Sequence, residues 1–564
     1  MMHSRPHLLV AFALGFGTPV FAQLPPHQFS LRLGYSGTVY LSDITTDNAG
    51  NIYAVGNFNS TVDLDPGTGE DLHTSLGSND FFLVKFDMDG NYLWGRAYGN
   101  QYDNLCNAIA YDPLSDAIII GGSTVSSIDF DGIEVFFSFG LSDAFLYKLG
   151  TDGTPLWAND GNSESNQAET LTDMVVDADG SIYYTGAWSA SASSQPQVAL
   201  VEISSGGLVS NSYLYGGANS DFGTHITRGP DGTLHLVGKF KFRDESPYNV
   251  TFGGFTFSSG STLDFGNNVF YLNVDAVDGT VLDAKVVAHR VDQEAPSGIS
   301  VDSDGVVYIS GSYGSSFNGS ASIFGIGVPE VANSYFNGFV VKLHPDGGAN
   351  SWARVFPNGQ SWSALRGMGV DANGIIHVFC EASPGIDIDP TSSSVITMPA
   401  GNYNFLTRLN NDGSFLDGYF YNNIITSRVL PQSNGALILG GNYANDNDFD
   451  PGPDVVSLPS AGGGVPDAFV SKLFDVTTIV TETTTDELTI APNPASSFVN
   501  ISGAPPNARY ALLDLPGKML VQGRLNGESN TIDVSELAAG TYVLQVQGAD
   551  GRPRSECFVV SARQ

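Results

Sequence analysis

A short phrase returns seven times between residues 47 and 441 of this chain. Its clearest copies have an Asp, two residues, a Gly and an alternating run that ends in Gly, as in DNAGNIYAVG at 47–56 and DSDGVVYISG at 302–311. A second phrase follows each copy, as in DFFLVKFDMDGNYLWGRAYG at 80–99. Alternating side chains predict strands, and Asp and Gly at fixed spacing predict tight turns. Each unit therefore contains about four short strands.

Repeated units of four strands are typical of a propeller, in which four-stranded blades surround an axis. No long stretch has apolar residues at helical spacing, and glycine is abundant, so the chain is predicted to be all-β. We predict a seven-bladed β-propeller over residues 23–475. The repeat length of roughly 65 residues exceeds the usual period of about 40 to 50, and the excess lies between the second and third strands.

The seventh unit lacks a fourth strand, because its third strand runs directly into a Thr-rich segment. At the other end of the chain, FSLRLGYSG at 29–37 resembles the fourth strands of the other units. We predict that this N-terminal strand completes the last blade, since a closed ring leaves no long open sheet edge. Deletion of residues 27–36 is then expected to abolish cooperative folding.

The first 22 residues predict a signal peptide. Arg5 precedes the apolar run LLVAFALGF, and small Ala22 stands at the expected cleavage point. The apolar run is too short to span a bilayer. Cysteines are few and far apart, so a disulfide framework is not expected in this exported chain.

The net charge of −36 at pH 7 excludes a role in nucleic-acid binding, because phosphate recognition needs clustered Lys and Arg side chains. Strong acidity is instead typical of a protein that works in a salt-rich or cation-rich setting. We therefore expect no nucleic-acid partner and no transmembrane segment.

The repeated phrases resemble the seven-bladed propeller repeat proteins of bacterial cell surfaces. Units of that family carry a GNxYxxG strand, a DxFxxKLxxDG strand and turn, and a fourth strand with a Trp. Trp94, Trp157 and Trp352 stand at that last position here. The resemblance implies a fold and leaves the activity open, because propellers host many functions.

The C-terminal residues resemble a second family. After a Thr-rich linker at 476–486, the segment 487–564 contains LTIAPNPASSFVNI, DLPGK and IDVSELAAGTYVLQV in that order. This order is similar to the type A sorting domain of the type IX secretion system, an Ig-like β-sandwich. An ordinary accessory sandwich is the alternative interpretation, since alternating strands alone do not distinguish the two.

The resemblance to a sorting domain implies a route and a destination. The chain would pass through the periplasm by its signal peptide and cross the outer membrane of a Gram-negative bacterium through the type IX secretion machinery. It would then be released or remain at the cell surface. The secretion machinery is the partner that this resemblance implies.

The candidate ligand face is the one that carries the loops between the second and third strands and the connections between blades. Aromatic side chains there offer stacking surfaces, and carboxylates accept hydrogen bonds, a mixture that suits a polar ligand such as a sugar. Solvated loops with half-packed aromatic residues are the alternative. The predicted ligand-binding residues are Tyr102, Asp103, Glu164, Asp221, Phe222, Asp292, Glu294 and Trp362.

Four acidic stretches lie in the long connections of units one, two, six and seven, which are neighbours once the ring closes. Each has two aspartates one residue apart, as in VDLDPGTG at 62–69. Asp, Pro and Gly in this order are typical of a β-turn, while calcium needs about 6 to 8 oxygen ligands. The candidate calcium ligands are Asp63, Asp65, Asp129, Asp131, Asp387, Asp389, Asp448 and Asp450.

Three function classes remain open from the sequence. An exported binding module for a glycan or a protein is the prediction, because no residue pattern marks a catalytic site. An enzyme acting on an extracellular polysaccharide is the first alternative, and it needs paired carboxylates about 5 to 10 Å apart near the ring axis. A structural or adhesin component with calcium-bridged acidic loops is the second.

Overall fold

The computed structural model describes residues 27–561 with internal gaps. The gaps are residues 136–141, 162–167, 190–194, 218–219, 243–248, 259–266, 292–295, 315–321, 324–325, 328–335, 346–349, 357–362, 392–394, 402, 453–454, 461–463, 475–488, 503–507, 515–518, 526–528, 536 and 548–552. The predicted signal peptide and the Thr-rich linker lie outside the described residues. The chain divides into two compact units, Met1–Thr478 and Ile479–Gln564.

Strands are the only regular secondary structure among the described residues of the first unit. In chain order these are β1 His27–Leu33, β2 Val39–Thr46, β3 Ile52–Phe58, β4 Thr61–Asp63, β5 Leu72–Thr74, β6 Asp80–Phe86, β7 Tyr92–Tyr98, β8 Asn104–Asp112, β9 Ala117–Thr124, β10 Ile128–Phe130, β11 Ile133–Val135, β12 Asp143–Gly150, β13 Pro155–Asn159, β14 Glu169–Val176, β15 Ile182–Ser189, β16 Pro196–Ile203, β17 Val209–Tyr215, β18 Phe222–Arg228 and β19 Leu234–Phe240. The remaining strands of this unit are β20 Asn249–Phe252, β21 Phe255–Ser258, β22 Asn267–Val274, β23 Val281–Val291, β24 Gly298–Val301, β25 Val307–Gly314, β26 Ser322–Ile323, β27 Ile326–Gly327, β28 Phe336–Leu343, β29 Trp352–Val355, β30 Ser363–Val370, β31 Ile376–Ala382, β32 Asn404–Leu409, β33 Phe415–Tyr421, β34 Ile424–Pro431, β35 Ala436–Tyr443, β36 Asn447–Asp448, β37 Ser457–Leu458 and β38 Asp467–Phe474.

Apart from the short hairpins described below, these strands form seven antiparallel sheets within the described residues, each built on four strands. We number the sheets by their order along the chain: sheet one β2-β3-β6-β7, sheet two β8-β9-β12-β13, sheet three β14-β15-β16-β17, sheet four β18-β19-β22-β23, sheet five β24-β25-β28-β29, sheet six β30-β31-β32-β33, and sheet seven β34-β35-β38-β1. Sheet four is extended by the hairpin β26-β27, which pairs with β23. In sheet seven, β1 supplies the outermost strand through antiparallel pairing with β38.

The sheets follow one another around an axis. The first strand of each sheet contacts the first strand of the next, from β2 to β8 and onward to β30 and β34, and β34 contacts β2. The first strands therefore lie innermost, and the unit is a β-propeller. The all-β prediction is confirmed.

The Asp/Gly phrases form turns between the first and second strands. In sheet one, Asp47 Oδ1 accepts hydrogen bonds from the backbone amides of Ala49 and Asn51, both at 2.9 Å. Gly50 has a φ of +81°, which disfavours side chains with a Cβ. Tyr53 on β3 donates its hydroxyl hydrogen to Asp47 Oδ2 at 2.9 Å. The recurrent Asp is thus a local turn residue.

The connections between the second and third strands carry small hairpins of their own. These are β4–β5 in unit one, β10–β11 in unit two, β20–β21 in unit four and β36–β37 in unit seven. Because neighbouring strands run antiparallel, these hairpins and the connections between sheets lie at one end of the sheets. The Asp/Gly turns lie at the other end.

The second unit has its own core. Its described strands are β39 Thr489–Ala491, β40 Phe498–Ser502, β41 Arg509–Asp514, β42 Met519–Arg524, β43 Ser529–Asp533, β44 Gly540–Gln547 and β45 Pro553–Val560. They form two sheets, β39-β40-β43 and β42-β41-β44-β45. Val499 from the first sheet and Leu544 from the second are buried in one apolar cluster, so the two sheets pack face to face.

Candidate ligand-binding face

The acidic stretches of units one, six and seven share one geometry. Asp63 Oδ1 accepts hydrogen bonds from the backbone amides of Asp65 at 3.1 Å and Asp71 at 2.9 Å, which lie on opposite sides of the connection. The two equivalent clamps are Asp387 with Asp389 and Ile396, and Asp448 with Asp450 and Val456. The second Asp of each pair also accepts a backbone hydrogen bond, as Asp65 Oδ1 does from Gly67 at 2.8 Å. The carboxylate of the first Asp in each pair therefore links the two sides of its connection.

The acidic stretch of unit two uses its carboxylates differently. Asp131 adopts a φ of +52° and its Oδ2 accepts hydroxyl hydrogens from Tyr98 at 2.5 Å and Tyr147 at 2.9 Å. Asp129 Oδ1 accepts the backbone hydrogen of Gly132 at 2.6 Å. Both carboxylates are bound by groups of the protein itself.

The described residues contain no group of three or more His, Cys, Asp or Glu side chains that is arranged to hold a metal ion. Of the eight aspartates named as calcium ligands, seven accept backbone amide hydrogens within their own connections, and Asp131 accepts the hydroxyl hydrogens of two tyrosines. Calcium binding at these loops stays a prediction.

The predicted ligand residues fall into two groups. Glu164, Asp292, Glu294 and Trp362 lie outside the described residues. The other four lie at two junctions, Tyr102 and Asp103 between sheets one and two, and Asp221 and Phe222 between sheets three and four. These two pairs are therefore separated by sheets two and three, and they do not form one site.

The aromatic members of both pairs are partly open to solvent. Tyr102 is 43% exposed and Phe222 is 37% exposed. Asp103 is also exposed, and hydrogen bonds from the Ser78 hydroxyl and the Asn79 side chain hold its pKa below the ordinary value. Tyr102, Asp103 and Phe222 are thus accessible to a ligand.

Asp221 differs from the prediction. Its side chain is fully buried, and its oxygens accept the backbone hydrogens of Gly217 at 2.7 Å and Lys241 at 3.4 Å. Burial raises the pKa of Asp221 to about 7. The side chain braces the junction between sheets three and four, and it is not presented to a ligand.

A concave site lies on the same face, between sheets six and seven. It encloses about 410 Å³ and is lined by six residues, Tyr403, Asn422, Asn423, Asn445, Asp446 and Asn447. We call it the Asn-rich depression. Its walls are the connection before β32, the junction between β33 and β34, and the connection after β35.

The Asn-rich depression combines a fixed wall with open side chains. Asn447 is buried and donates side-chain hydrogens to the carbonyls of Asn445 at 2.7 Å and Asn423 at 3.4 Å, which ties two walls together. Tyr403 remains 45% exposed. Asn422 and Asn423 are exposed, and each amide offers both donors and an acceptor. These residues are not among those predicted from the sequence, although the Asn-rich stretches FYNN and NYANDND flank the strands concerned.

A second polar cluster lies on the first strands, at the axis. Arg428 on β34 pairs with Asp43 on β2, with 2.6 Å between Nε and Oδ1. Its Nη2 lies 3.8 Å from Oδ1 of Asp173 on β14. The Arg428 side chain is 32% exposed, whereas both carboxylates are buried. We call these three residues the axial cluster.

The carboxylates of the axial cluster are also bound by backbone amides of neighbouring sheets. Asp43 Oδ2 accepts the amide hydrogen of Ile109 in sheet two at 3.1 Å, and Asp173 Oδ2 accepts that of Ile226 in sheet four at 3.0 Å. Burial raises the pKa of both carboxyl groups, and the Arg428 guanidinium opposes this shift. The cluster joins sheets across the axis.

His225 on β18 lies near this cluster and contributes no charge at neutral pH. Burial and the Arg428 guanidinium lower its pKa to about 3. An alignment of the repeats would have found the cluster, because Asp43, Asp173 and Arg428 all stand four residues before the start of the Asp/Gly turn.

The second unit matches a known family. Residues 489–560 match the secretion system C-terminal sorting domain. The prediction of a C-terminal sorting domain is confirmed, and the chain is an exported protein that carries a type IX sorting domain. No helix within the described residues has the length and apolar character needed to cross a membrane.

The other similar proteins found are distant from this chain. An uncharacterized WD repeat-containing protein of Acanthamoeba polyphaga mimivirus is 23% identical over 168 residues, which cover 25% of this chain and 12% of that protein. An ulvan lyase structure of a polysaccharide lyase family has a TM-score of 0.41 at 11% identity, covering 73% of this chain and 93% of the other. A puromycin hydrolase has a TM-score of 0.40 at 12% identity, covering 83% and 59%. Likenesses at this level do not bear on what this chain binds.

Proposed function

We propose that this protein is an exported binding module that recognises a glycan through the Asn-rich depression of its propeller. The sorting domain supports export to the cell surface or the medium of a Gram-negative bacterium through the type IX machinery. The observation that carries the proposal is the composition of the depression, in which four Asn, one Asp and one Tyr line a volume of about 410 Å³.

This composition suits sugars for chemical reasons. A sugar presents hydroxyl groups that both donate and accept hydrogen bonds, and side-chain amides do the same. The exposed Tyr403 ring offers a flat apolar surface for the CH face of a pyranose. The volume falls within the range of about 300 to 1,000 Å³ typical of small-molecule sites. Low net charge within the site favours a neutral saccharide.

An enzyme that acts on polysaccharide is the alternative, and the axial cluster is the feature that would support it. Asp43 and Asp173 are carboxylates near the axis, as a glycosidase site requires. However, both are buried, and each accepts hydrogen bonds from two backbone amides, including one in a neighbouring sheet. A carboxylate held in this way has no open side for substrate, so the binding function is favoured.

A glycan array probed with the full secreted chain tests the proposal. We expect retention of neutral oligosaccharides without their cleavage, and we expect Tyr403→Ala to weaken that retention. Release of shortened products would instead support the enzyme. If no glycan is retained, and millimolar calcium raises the melting temperature strongly, the structural component with calcium-bridged loops is favoured.

The residues predicted from sequence provide the competing location for the same activity. Tyr102→Ala and Phe222→Ala change the exposed aromatic side chains of the other two junctions. Loss of glycan retention in Tyr102→Ala, with Tyr403→Ala unaffected, would place the site between sheets one and two. The two sets of variants therefore test where the glycan binds separately from whether the protein binds a glycan.

A further inference from the structure

One position on the third strand recurs in every sheet, and its register identifies it. In sheet one the residue is Lys85, which pairs with Tyr53 on β3 and with Trp94 on β7. Lysine stands at the same position in sheets two, five and seven. These residues are Lys148, Lys342 and Lys472.

Three of these lysines hold the next sheet in place. Each donates a hydrogen bond from Nζ to a backbone carbonyl in the turn between the third and fourth strands of the following sheet. The bonds are Lys85 to Thr151 at 2.7 Å, Lys342 to Asn411 at 3.0 Å, and Lys472 to Met88 at 2.7 Å. The acceptor is always the second residue of a four-residue turn, in GTDG, NNDG and DMDG. We call this contact the lysine latch.

Sheet four lacks the latch. Asn273 stands at the lysine position, paired with His235 on β19 and Asp283 on β23. The asparagine side chain is shorter than lysine, and its buried Oδ1 has no hydrogen-bond partner among the described residues. In sheet five, the second residue after the third strand β28 is Pro345, the position that supplies the acceptor carbonyl in two of the three latches. A buried acceptor without a hydrogen-bond partner in the described part of the chain therefore stands in sheet four where sheets one, five and seven present an ammonium group to the next sheet.

A cleft opens between sheets four and five at this place. It encloses about 680 Å³, and both Asn273 and Pro345 line it. The cleft lies at the end of the sheets that carries the Asp/Gly turns, and the Asn-rich depression lies at the opposite end. It is therefore a separate site from the one in the proposed function.

The charge of the cleft is negative. Its carboxylates are Asp231, Asp283 and Asp304. The cation Lys285 is paired with Asp283. His235 is buried, its Nδ1 lies 2.7 Å from the Tyr271 hydroxyl, and burial lowers its pKa to about 4, so it adds no positive charge at neutral pH.

We propose that the cleft between sheets four and five binds a primary ammonium group of a second molecule, in the place of the lysine that sheet four lacks. The ammonium donates to Asn273 Oδ1 and to the Pro345 carbonyl, and the surrounding carboxylates balance its charge. A lysine side chain and an amino sugar both present this group. Their neutral analogues do not.

Calorimetric titration of the full chain with small probes tests this proposal. The probes are Nα-acetyl-lysine methylamide and glucosamine, and the neutral analogues are Nα-acetyl-norleucine methylamide and glucose. We expect binding of at least one ammonium probe, with affinity at least about tenfold above its analogue. Binding of the lysine probe alone identifies a peptide source, and binding of glucosamine alone identifies a saccharide source.

Two variants link this binding to the cleft. Asn273→Lys introduces the latch, so we expect it to abolish probe binding and to raise the melting temperature. Asp283→Asn removes a charge without filling the cleft and is expected to weaken binding, whereas Asp278→Asn changes the same charge in a turn outside the cleft lining and leaves binding unchanged. Equal binding of charged and neutral probes, absence of binding, or unaltered binding in Asn273→Lys would overturn the proposal.

Discussion

The axial cluster and the Asn-rich depression are both polar, but they differ in what satisfies their side chains. Backbone amides and an arginine occupy the carboxylates of Asp43 and Asp173. In the depression, Tyr403 and Asn422 are exposed, and only Asn447 is used to join the walls. A polar group that the fold already satisfies stabilises the protein, whereas an open one is available to a ligand. Whether the fold already satisfies a polar side chain therefore indicates its role more clearly than its residue type does.

The largest effect should follow removal of the arginine from the axial cluster. Arg428→Met leaves two buried carboxylates without a cation, so we expect a loss of about 3–5 kcal/mol in the free energy of unfolding. Chemical denaturation of the full chain measures it. Arg366→Met is the matched control, because its partner Glu381 is partly exposed and the pair should contribute about 1 kcal/mol or less. A loss in Arg428→Met as small as that in Arg366→Met would show that the axial cluster does not contribute to the stability of the fold.

Asp221 tests whether a carboxylate near the ligand face behaves like the axial ones. Its folded pKa of about 7 lies above the ordinary 3.8, so between these values the folded state binds a proton that the unfolded state releases. Its contribution to stability is present below about pH 4 and is lost as the pH rises through about 7. We expect the fall in melting temperature from pH 5 to pH 8 to be smaller in Asp221→Asn than in the wild type.

The control for this pH dependence is Asp103→Asn. Hydrogen bonds lower the pKa of Asp103, so its titration falls below the range from pH 5 to pH 8. This variant should keep the wild-type slope. Identical slopes in all three proteins would contradict the assignment of Asp221 as a buried, protonated brace.

The exposed tyrosine of the depression should matter for affinity and not for stability. Tyr403→Ala removes a stacking surface that should contribute about 0.5–1.5 kcal/mol to the binding free energy. This corresponds to a loss of affinity of up to roughly tenfold for a bound saccharide. Titration with a glycan selected on the array measures this loss. Tyr40→Ala, which removes a similarly exposed tyrosine of sheet one, should change neither affinity nor melting temperature appreciably. A large loss of stability in Tyr403→Ala would place this residue with the structural group.

The smallest effect concerns the acidic loops. Asp63→Ala removes two hydrogen bonds to backbone amides, and we expect a loss of about 1 kcal/mol in the free energy of unfolding. Because these bonds are internal to the loop, the loss should be the same with and without millimolar calcium. A loss that grows when calcium is added would show that the acidic loops bind the ion.

Strands, turns and sorting motif were predictable because their determinants are local. Asp47, Asn51 and Tyr53 form a complete turn within seven residues, and Asp302 with Tyr308 repeats it in sheet five. In sheet six His377 replaces this tyrosine, and its Nε2 lies 3.3 Å from Oδ2 of the turn residue Asp371. The sorting domain was predictable from an ordered set of short motifs.

The proposed binding site was not predictable from single residues. Aspartates in similar connections have opposite surroundings, since Asp103 is exposed while Asp221 is buried against backbone amides. Burial depends on how neighbouring sheets pack, which a local pattern does not contain. The predicted face is the one that carries the Asn-rich depression, but the side chains that line it differ from those named from the sequence.

Export, the all-β class and the repeated units follow from short stretches of sequence, because strand alternation, Asp/Gly turns and the sorting motifs each depend on residues that are close in the chain. Which polar groups meet depends instead on how distant strands pack. Arg428 reaches Asp43, 385 residues away in the chain, because the ring brings the last sheet beside the first. The buried Asn273 Oδ1 likewise lacks a hydrogen-bond partner within the described residues because packing between sheets determines which hydrogen bonds are made.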